Sequence, residues 1–98
     1  MIQHVVLMSF KPEVQKTEII LLEENLMRLR NIIQDKSAYK FGRNIIESER
    51  AFDFGLVSSF TDLNSLEKYQ MHPEHKKVLK IVQSMCKRIV SVDFPIDT

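Results

Sequence analysis

The chain has 98 residues, of which 44% are hydrophobic and 28% are charged, a balance that fits one small folded domain over residues 1–98 and excludes a disordered chain. With 14 basic and 13 acidic side chains, the net charge of +1 gives no reason to expect a nucleic-acid or membrane partner. Cys86 is the only cysteine, which excludes an intrachain disulfide and favours a reducing, cytoplasmic location.

The first predicted element is a strand from Ile2 to Phe10. Its side chains are largely aliphatic on both alternating sets, and a strand that is apolar on both faces is expected to be buried on both. The segment has no basic lead-in and ends at Lys11-Pro12, so we expect neither a signal peptide nor a membrane span.

One amphipathic helix is predicted between about residues 14 and 33. Thr17 is a candidate N-cap, and Glu18 is favourably placed in the first turn, while Pro12 and Glu13 leave an earlier start open. The apolar stripe recurs at three- and four-residue steps without glycine or proline, and it consists of Ile19, Leu22, Leu26, Leu29 and Ile33.

Two strands are predicted next, from Ser37 to Glu47 and from Phe52 to Phe60. Gly42 interrupts the first of them and suggests a bulge or a close approach, because an interior glycine weakens a strand.

A helix from Thr61-Asp62 is then expected to break at His72-Pro73 and to restart with Pro73 in its first turn. A last strand covers residues 88–94.

The order strand, helix, strand, strand, helix, strand predicts an α+β, ferredoxin-like βαββαβ fold. With right-handed crossovers, this order gives a four-stranded antiparallel sheet with the helices on one face. The opposite face would be bare and apolar, so we expect it to meet its copy in a homodimer.

The segment Tyr69-Gln70-Met71-His72-Pro73-Glu74-His75 carries two of the three histidines of the chain. Histidine is the natural base near neutral pH. If the break at Pro73 turns Tyr69 and His75 towards each other, Tyr69 could polarise a substrate oxygen while His75 removes a proton. Two alternatives stay open: His72 caps the second half-helix while Tyr69 and His75 serve the structure, or His72 and His75 bind a metal with His4 or Glu74.

The chain resembles the stress-responsive α/β-barrel domain family over nearly its entire length. The resemblance is carried by the opening strand with His4, by Phe54-Gly55-Leu56-Val57, and most specifically by the pattern Tyr69-x-x-His72-Pro73-x-His75. It implies a dimeric α+β barrel in which two sheets pack face to face with the helices outside.

The resemblance also implies a function. Some plant members are linked to salt or heat stress, and a plant subgroup consists of polyketide cyclases that close a linear polyketide by an intramolecular aldol step. In that subgroup, the histidine that matches His75 acts as the base, assisted by the residues that match Tyr69 and His4. This chain has Leu26 where the cyclases have a tyrosine. Where they have apolar pocket residues, it has Ser58, Cys86 and Ser91.

We therefore predict proton-transfer chemistry on a small carbonyl compound, of the cyclase or lyase type, with His75, Tyr69 and His4 as the catalytic groups and no cofactor or metal. The substrate pocket would lie between helices and sheet and would be lined by Leu22, Leu26, Leu56, Ser58 and His72. The alternative is a non-enzymatic stress-related or ligand-binding dimer, and a third form is the ring-shaped higher oligomer of some stress-associated relatives.

Overall fold

The computed structural model describes residues 1–33 and 38–96. The elements in chain order are β1 Ile2–Phe10, α1 Lys16–Arg30, β2 Lys40–Arg43, β3 Phe54–Phe60, α2 Leu63–Met71, α3 Pro73–Met85 and β4 Cys86–Pro95. The strands form one antiparallel sheet in the order β2-β3-β1-β4. The predicted ferredoxin-like α+β fold is therefore confirmed, with its second helix divided into α2 and α3.

The hydrophobic core lies between one face of this sheet and the helices. Alternate residues of β1 and β3 point into it, because successive side chains of a strand lie on opposite faces. Within one chain, the helices cover only this face. The other surface, here called the open face, carries hydrophobic side chains that are 37% to 54% exposed, namely Leu7, Val57, Val92 and Phe94. The expected burial of β1 on both faces thus requires a second molecule.

Helix α1 begins earlier than the predicted cap. Gln15 is the N-cap, and its backbone N–H donates to Glu18 Oε1 at 3.0 Å. Thr17 lies inside the first turn and is not the N-cap, and the earlier start that was left open is the one observed. Because Glu18 satisfies the Gln15 N–H, the helix begins without a Ser or Thr cap.

Strand β2 is much shorter than the predicted strand, whose first residue, Ser37, lies outside the described residues. The Asn44 side chain donates to the Ile46 carbonyl at 2.9 Å and accepts from the Ile46 N–H at 3.4 Å. Since these bonds turn the backbone after Arg43, the ladder ends there. Gly42 pairs in register with Gly55, and a Cβ atom at Gly42 would have no neighbour within 4 Å, so the prediction of a bulge or a close approach there was wrong.

Candidate functional site

The break between α2 and α3 is formed by His72 and Pro73. His72 adopts an extended conformation and is both the C-cap of α2 and the N-cap of α3. Its Nδ1 accepts the Glu74 N–H at 3.1 Å. Pro73 follows at a position where the missing N–H costs nothing. The capping role considered for His72 is therefore confirmed, and because Nδ1 is an acceptor, Nε2 carries the proton of the neutral ring.

The same break brings Tyr69 and His75 together. Tyr69 lies near the end of α2 and His75 near the start of α3, and their ring centroids are 4.7 Å apart in an edge-to-face arrangement. Six residues along one straight helix would place the two side chains on different faces. The predicted reorientation across Pro73 is therefore present.

His4 approaches these two rings from strand β1. It is buried, and its ring meets the Tyr69 ring edge-on with centroids 6.4 Å apart. Its Nδ1 forms a short hydrogen bond with Asp93 Oδ1, on the directly paired residue of β4. A carboxylate bound to Nδ1 favours a proton there, so that Nε2 is left as the acceptor of the neutral ring.

Sequence reasoning missed Asp93. It stands on the core-facing alternation of β4 together with Ile89 and Ser91, as their partners in β1 show. The sequence signal that could have identified Asp93 is an acidic residue on the side of the strand that otherwise faces the core. Its partner, however, depends on a β1–β4 register between residues 89 positions apart.

Tyr39 is a second residue that sequence reasoning missed as part of the site. Its hydroxyl lies 3.1 Å from the Tyr69 hydroxyl, and both side chains are buried. Burial raises the pKa of Tyr39 far above its usual value. Burial also raises the pKa of Tyr69, although the hydrogen bond with Tyr39 lowers it in part. Both hydroxyls therefore stay protonated at neutral pH.

Two buried polar atoms in this region have no hydrogen-bond partner among the described groups: His75 Nδ1 and Ser58 Oγ. Ser58 is fully buried on β3 and directly paired with His4 in the sheet. Burial lowers the pKa of His75, and electrostatic repulsion from His4 lowers it further. A hydrogen bond between the ring and the Gln70 backbone acts in the opposite direction. His75 is therefore a neutral imidazole at neutral pH. These groups are called the polar cluster below, and its members are His4, Tyr39, Ser58, Tyr69, His75 and Asp93.

A cavity of about 560 Å³ adjoins the polar cluster, a size typical of small-molecule sites. Tyr69 belongs both to its lining and to the polar cluster. Phe60, also in its lining, contacts the His4 ring edge-on, with centroids 6.4 Å apart. The complete lining is Met1, Ile32, Ile33, Ser59, Phe60, Thr61, Ser65, Lys68, Tyr69 and His72.

The residues predicted to line a substrate pocket occupy three different places. His72 lines the cavity, whereas Leu22, Leu26 and Leu56 are at most 4% exposed within the hydrophobic core. Ser58 belongs to the polar cluster and is likewise absent from the cavity wall. The substrate-binding roles of all five stay predictions.

Within residues 1–33 and 38–96, no group of three or more His, Cys, Asp or Glu residues is arranged to hold a metal ion. In the same ranges, no helix is long and apolar enough to cross a membrane.

Taken together, the fold and the cluster define a class of protein: a ferredoxin-like α+β domain with a histidine–carboxylate pair and a tyrosine–histidine pair between sheet and helices. The family of stress responsive A/B barrel domains matches residues 2–96, and the chain belongs to this family. A stress-response A/B barrel domain-containing protein from Arabidopsis thaliana is 31% identical over 97 residues. The match covers 98% of this chain and 37% of that relative.

Solved structures share the fold. A dimeric ferredoxin-like protein of unknown function from Thermobifida fusca is 24% identical, with a TM-score of 0.86 over 97% of this chain and 90% of that one. A hydroxynitrile lyase from Passiflora edulis is 17% identical, with a TM-score of 0.83 over 98% of this chain and 93% of that one. At these identities the likeness concerns the fold alone.

Proposed function

We propose that this single-domain chain forms a cytoplasmic homodimer that binds a small carbonyl compound beside Tyr69 and moves a proton on it, with His75 as the base. The observation that carries this proposal is the pair of unpartnered buried atoms, His75 Nδ1 and Ser58 Oγ, next to His4. A buried polar atom without a hydrogen bond costs about 1–3 kcal/mol. Neither residue lines the cavity, so a ligand beside Tyr69 would reach these atoms after a shift of the intervening side chains. By supplying the missing bonds, it would recover part of that cost.

The protonation states of the polar cluster fit general acid–base chemistry. The lowered pKa of His75 keeps its imidazole free to accept a proton, and the raised pKa of Tyr69 keeps its hydroxyl a donor. In the proposed step, His75 takes a proton from the carbon next to the carbonyl. The C–H electron pair forms a double bond between the two carbons, the π pair of the carbonyl moves to its oxygen, and the resulting enolate accepts a hydrogen bond from Tyr69. The enolate carbon could then attack a second carbonyl of the same molecule, as in a cyclase.

His4 and Asp93 support this step from the sheet. The bond between His4 Nδ1 and Asp93 Oδ1 fixes the ring while Nε2 stays available. His4 would then accept a hydrogen bond from the substrate. Asp93 would act through His4, as a positioning residue.

The test measures proton exchange rather than one guessed product. Small ketones and aldehydes are incubated with the protein in deuterated buffer, and nuclear magnetic resonance follows the exchange of the hydrogens next to the carbonyl. Because a hydroxynitrile lyase shares the fold, cleavage of aromatic cyanohydrins is followed in parallel. We expect exchange with the unmodified protein and its loss in His75→Ala, at a stability cost of no more than about 1–2 kcal/mol.

A matched control replaces Gln70, which lies in the same segment, by alanine, because its side chain has no role in the proposed step and the substitution keeps its backbone beside His75. Gln70→Ala should retain exchange. Exchange that continues unchanged in His75→Ala would contradict the role of His75.

The homodimer is proposed through the open face. Its exposed side chains, Leu7, Val57, Val92 and Phe94, form an apolar surface that an isolated domain would leave in water. The Thermobifida fusca protein that shares the fold is described as dimeric. Two open faces packed against each other would complete the dimeric α+β barrel.

A non-enzymatic ligand-binding or stress-related dimer is the second candidate function. It is favoured by the close packing of Leu22, Leu26 and Leu56, which fill the region between α1 and the sheet where a pocket was predicted. In that case no carbonyl compound exchanges its hydrogens, and His75→Ala changes only stability or ligand affinity.

A further inference from the structure

Tyr39 takes no part in the step proposed above, yet it places a hydroxyl inside the polar cluster. The residue directly precedes β2 and is 2% exposed. Its ring packs edge-on against Phe41 and Tyr69, at centroid distances of 6.2 and 6.3 Å. Two aromatic contacts therefore fix the ring, and the hydroxyl reaches the Tyr69 hydroxyl at 3.1 Å.

In a pair of hydroxyl groups, one donates and the other accepts. The two hydroxyls lie 3.1 Å apart, and the distance alone allows either to be the donor. Each hydroxyl has a single proton. When Tyr69 gives its proton to another partner, Tyr39 must therefore be the donor within the pair. Tyr69 lines the cavity and Tyr39 does not, so that partner would be a ligand.

We propose that Tyr39 is a positioning residue that donates to the Tyr69 hydroxyl and directs the Tyr69 proton at the oxygen of an enolate or phenolate ligand in the cavity. This inference rests on the proposed function and names its ligand class. Linked hydroxyls polarise each other, so the pair binds a negative oxygen more strongly than one isolated hydroxyl does.

The ligand class predicts a preference that can be measured by binding alone. The probes are para-nitrophenolate and nitrobenzene, which share the aromatic ring and nitro group but differ in the anionic oxygen. Titrations are made at a pH at which the nitrophenol is ionised and both tyrosines are protonated. We expect the unmodified protein to bind nitrophenolate more tightly. Tyr39→Phe should weaken nitrophenolate binding about tenfold, equivalent to about 1.4 kcal/mol, and nitrobenzene binding less than about twofold.

Equal weakening of both probes in Tyr39→Phe would overturn the inference, because loss of packing alone weakens both. The absence of any preference for nitrophenolate in the unmodified protein would overturn it as well.

A second measurement needs no variant at Tyr39. The chain contains two tyrosines, so an isotope label at the phenolic carbon gives two resonances, which Tyr69→Phe assigns. Nitrophenolate should shift both resonances, since the hydroxyls are linked. A shift of the Tyr69 resonance alone would overturn the role of Tyr39. Selective nitrophenolate binding without hydrogen exchange on any carbonyl compound would remove the proposed function and leave this inference standing.

Discussion

The adjacent residues Leu21 and Leu22 provide a matched test of how the space between α1 and the sheet is used. Leu22 is 0% exposed, whereas Leu21 is 51% exposed. Truncation of a buried leucine to alanine costs about 2–5 kcal/mol, depending on how far the neighbours collapse. Leu26 and Leu29 pack on the same face and are also buried. We therefore expect Leu22→Ala to cost about 3–5 kcal/mol and Leu21→Ala to cost less than about 1 kcal/mol.

The assay is urea unfolding, with the free energy of unfolding compared at one fixed protein concentration, since the stability of a dimer depends on concentration. A loss of about 3 kcal/mol should also lower Tm by at least about 12 °C in a domain of this size. If Leu22→Ala costs no more than Leu21→Ala, Leu22 does not fill the core. The region would then be open to a ligand, as the predicted pocket requires.

Two further predictions concern the dimer and the pH dependence of stability. Val92→Lys places a charge on the open face, where Val92 is 54% exposed, so the mass in solution should fall to that of a monomer. Ile20→Lys, on the outer side of α1 at 47% exposure, is the control and should stay dimeric. For His75, burial lowers the pKa of the folded state, so the unfolded chain binds its proton first as the pH falls below about 6.5. The free energy of unfolding should therefore fall below that pH, and His75→Asn should make this fall smaller.

Each of these two predictions would be contradicted by one specific result. A dimer that survives Val92→Lys would remove the open face as the interface. An identical loss of stability between neutral pH and about pH 5 in the unmodified protein and in His75→Asn would mean that the buried ring is protonated as easily as in the unfolded chain.

The order of the strands and helices could be predicted from hydrophobic periodicity. Strand β1 matches its predicted bounds from Ile2 to Phe10. The meeting of Tyr69 and His75 was also predictable, because proline in a helical pattern identifies the break and a first-turn position identifies the restart. In both cases the determining signal lies within a few residues along the chain.

The rest of the candidate site depends on contacts between distant residues. Asp93 meets His4 through the β1–β4 register, and Tyr39 meets Tyr69 only once the sheet and α2 have packed. The cavity likewise depends on which side chains fill the interior. A stripe such as Leu22 and Leu26 looks the same in sequence whether it fills a core or lines a pocket.

A single extended residue, His72, separates the helix that carries Tyr69 from the helix that carries His75. Inserting one residue at this joint would change the position and direction in which α3 leaves α2, because the joint is a single extended residue. The sheet and the bulk of both helices could accommodate that change, but the Tyr69 and His75 rings would no longer face each other. Descendants of one ancestral barrel could therefore gain or lose a reaction at this joint while they inherit the same fold.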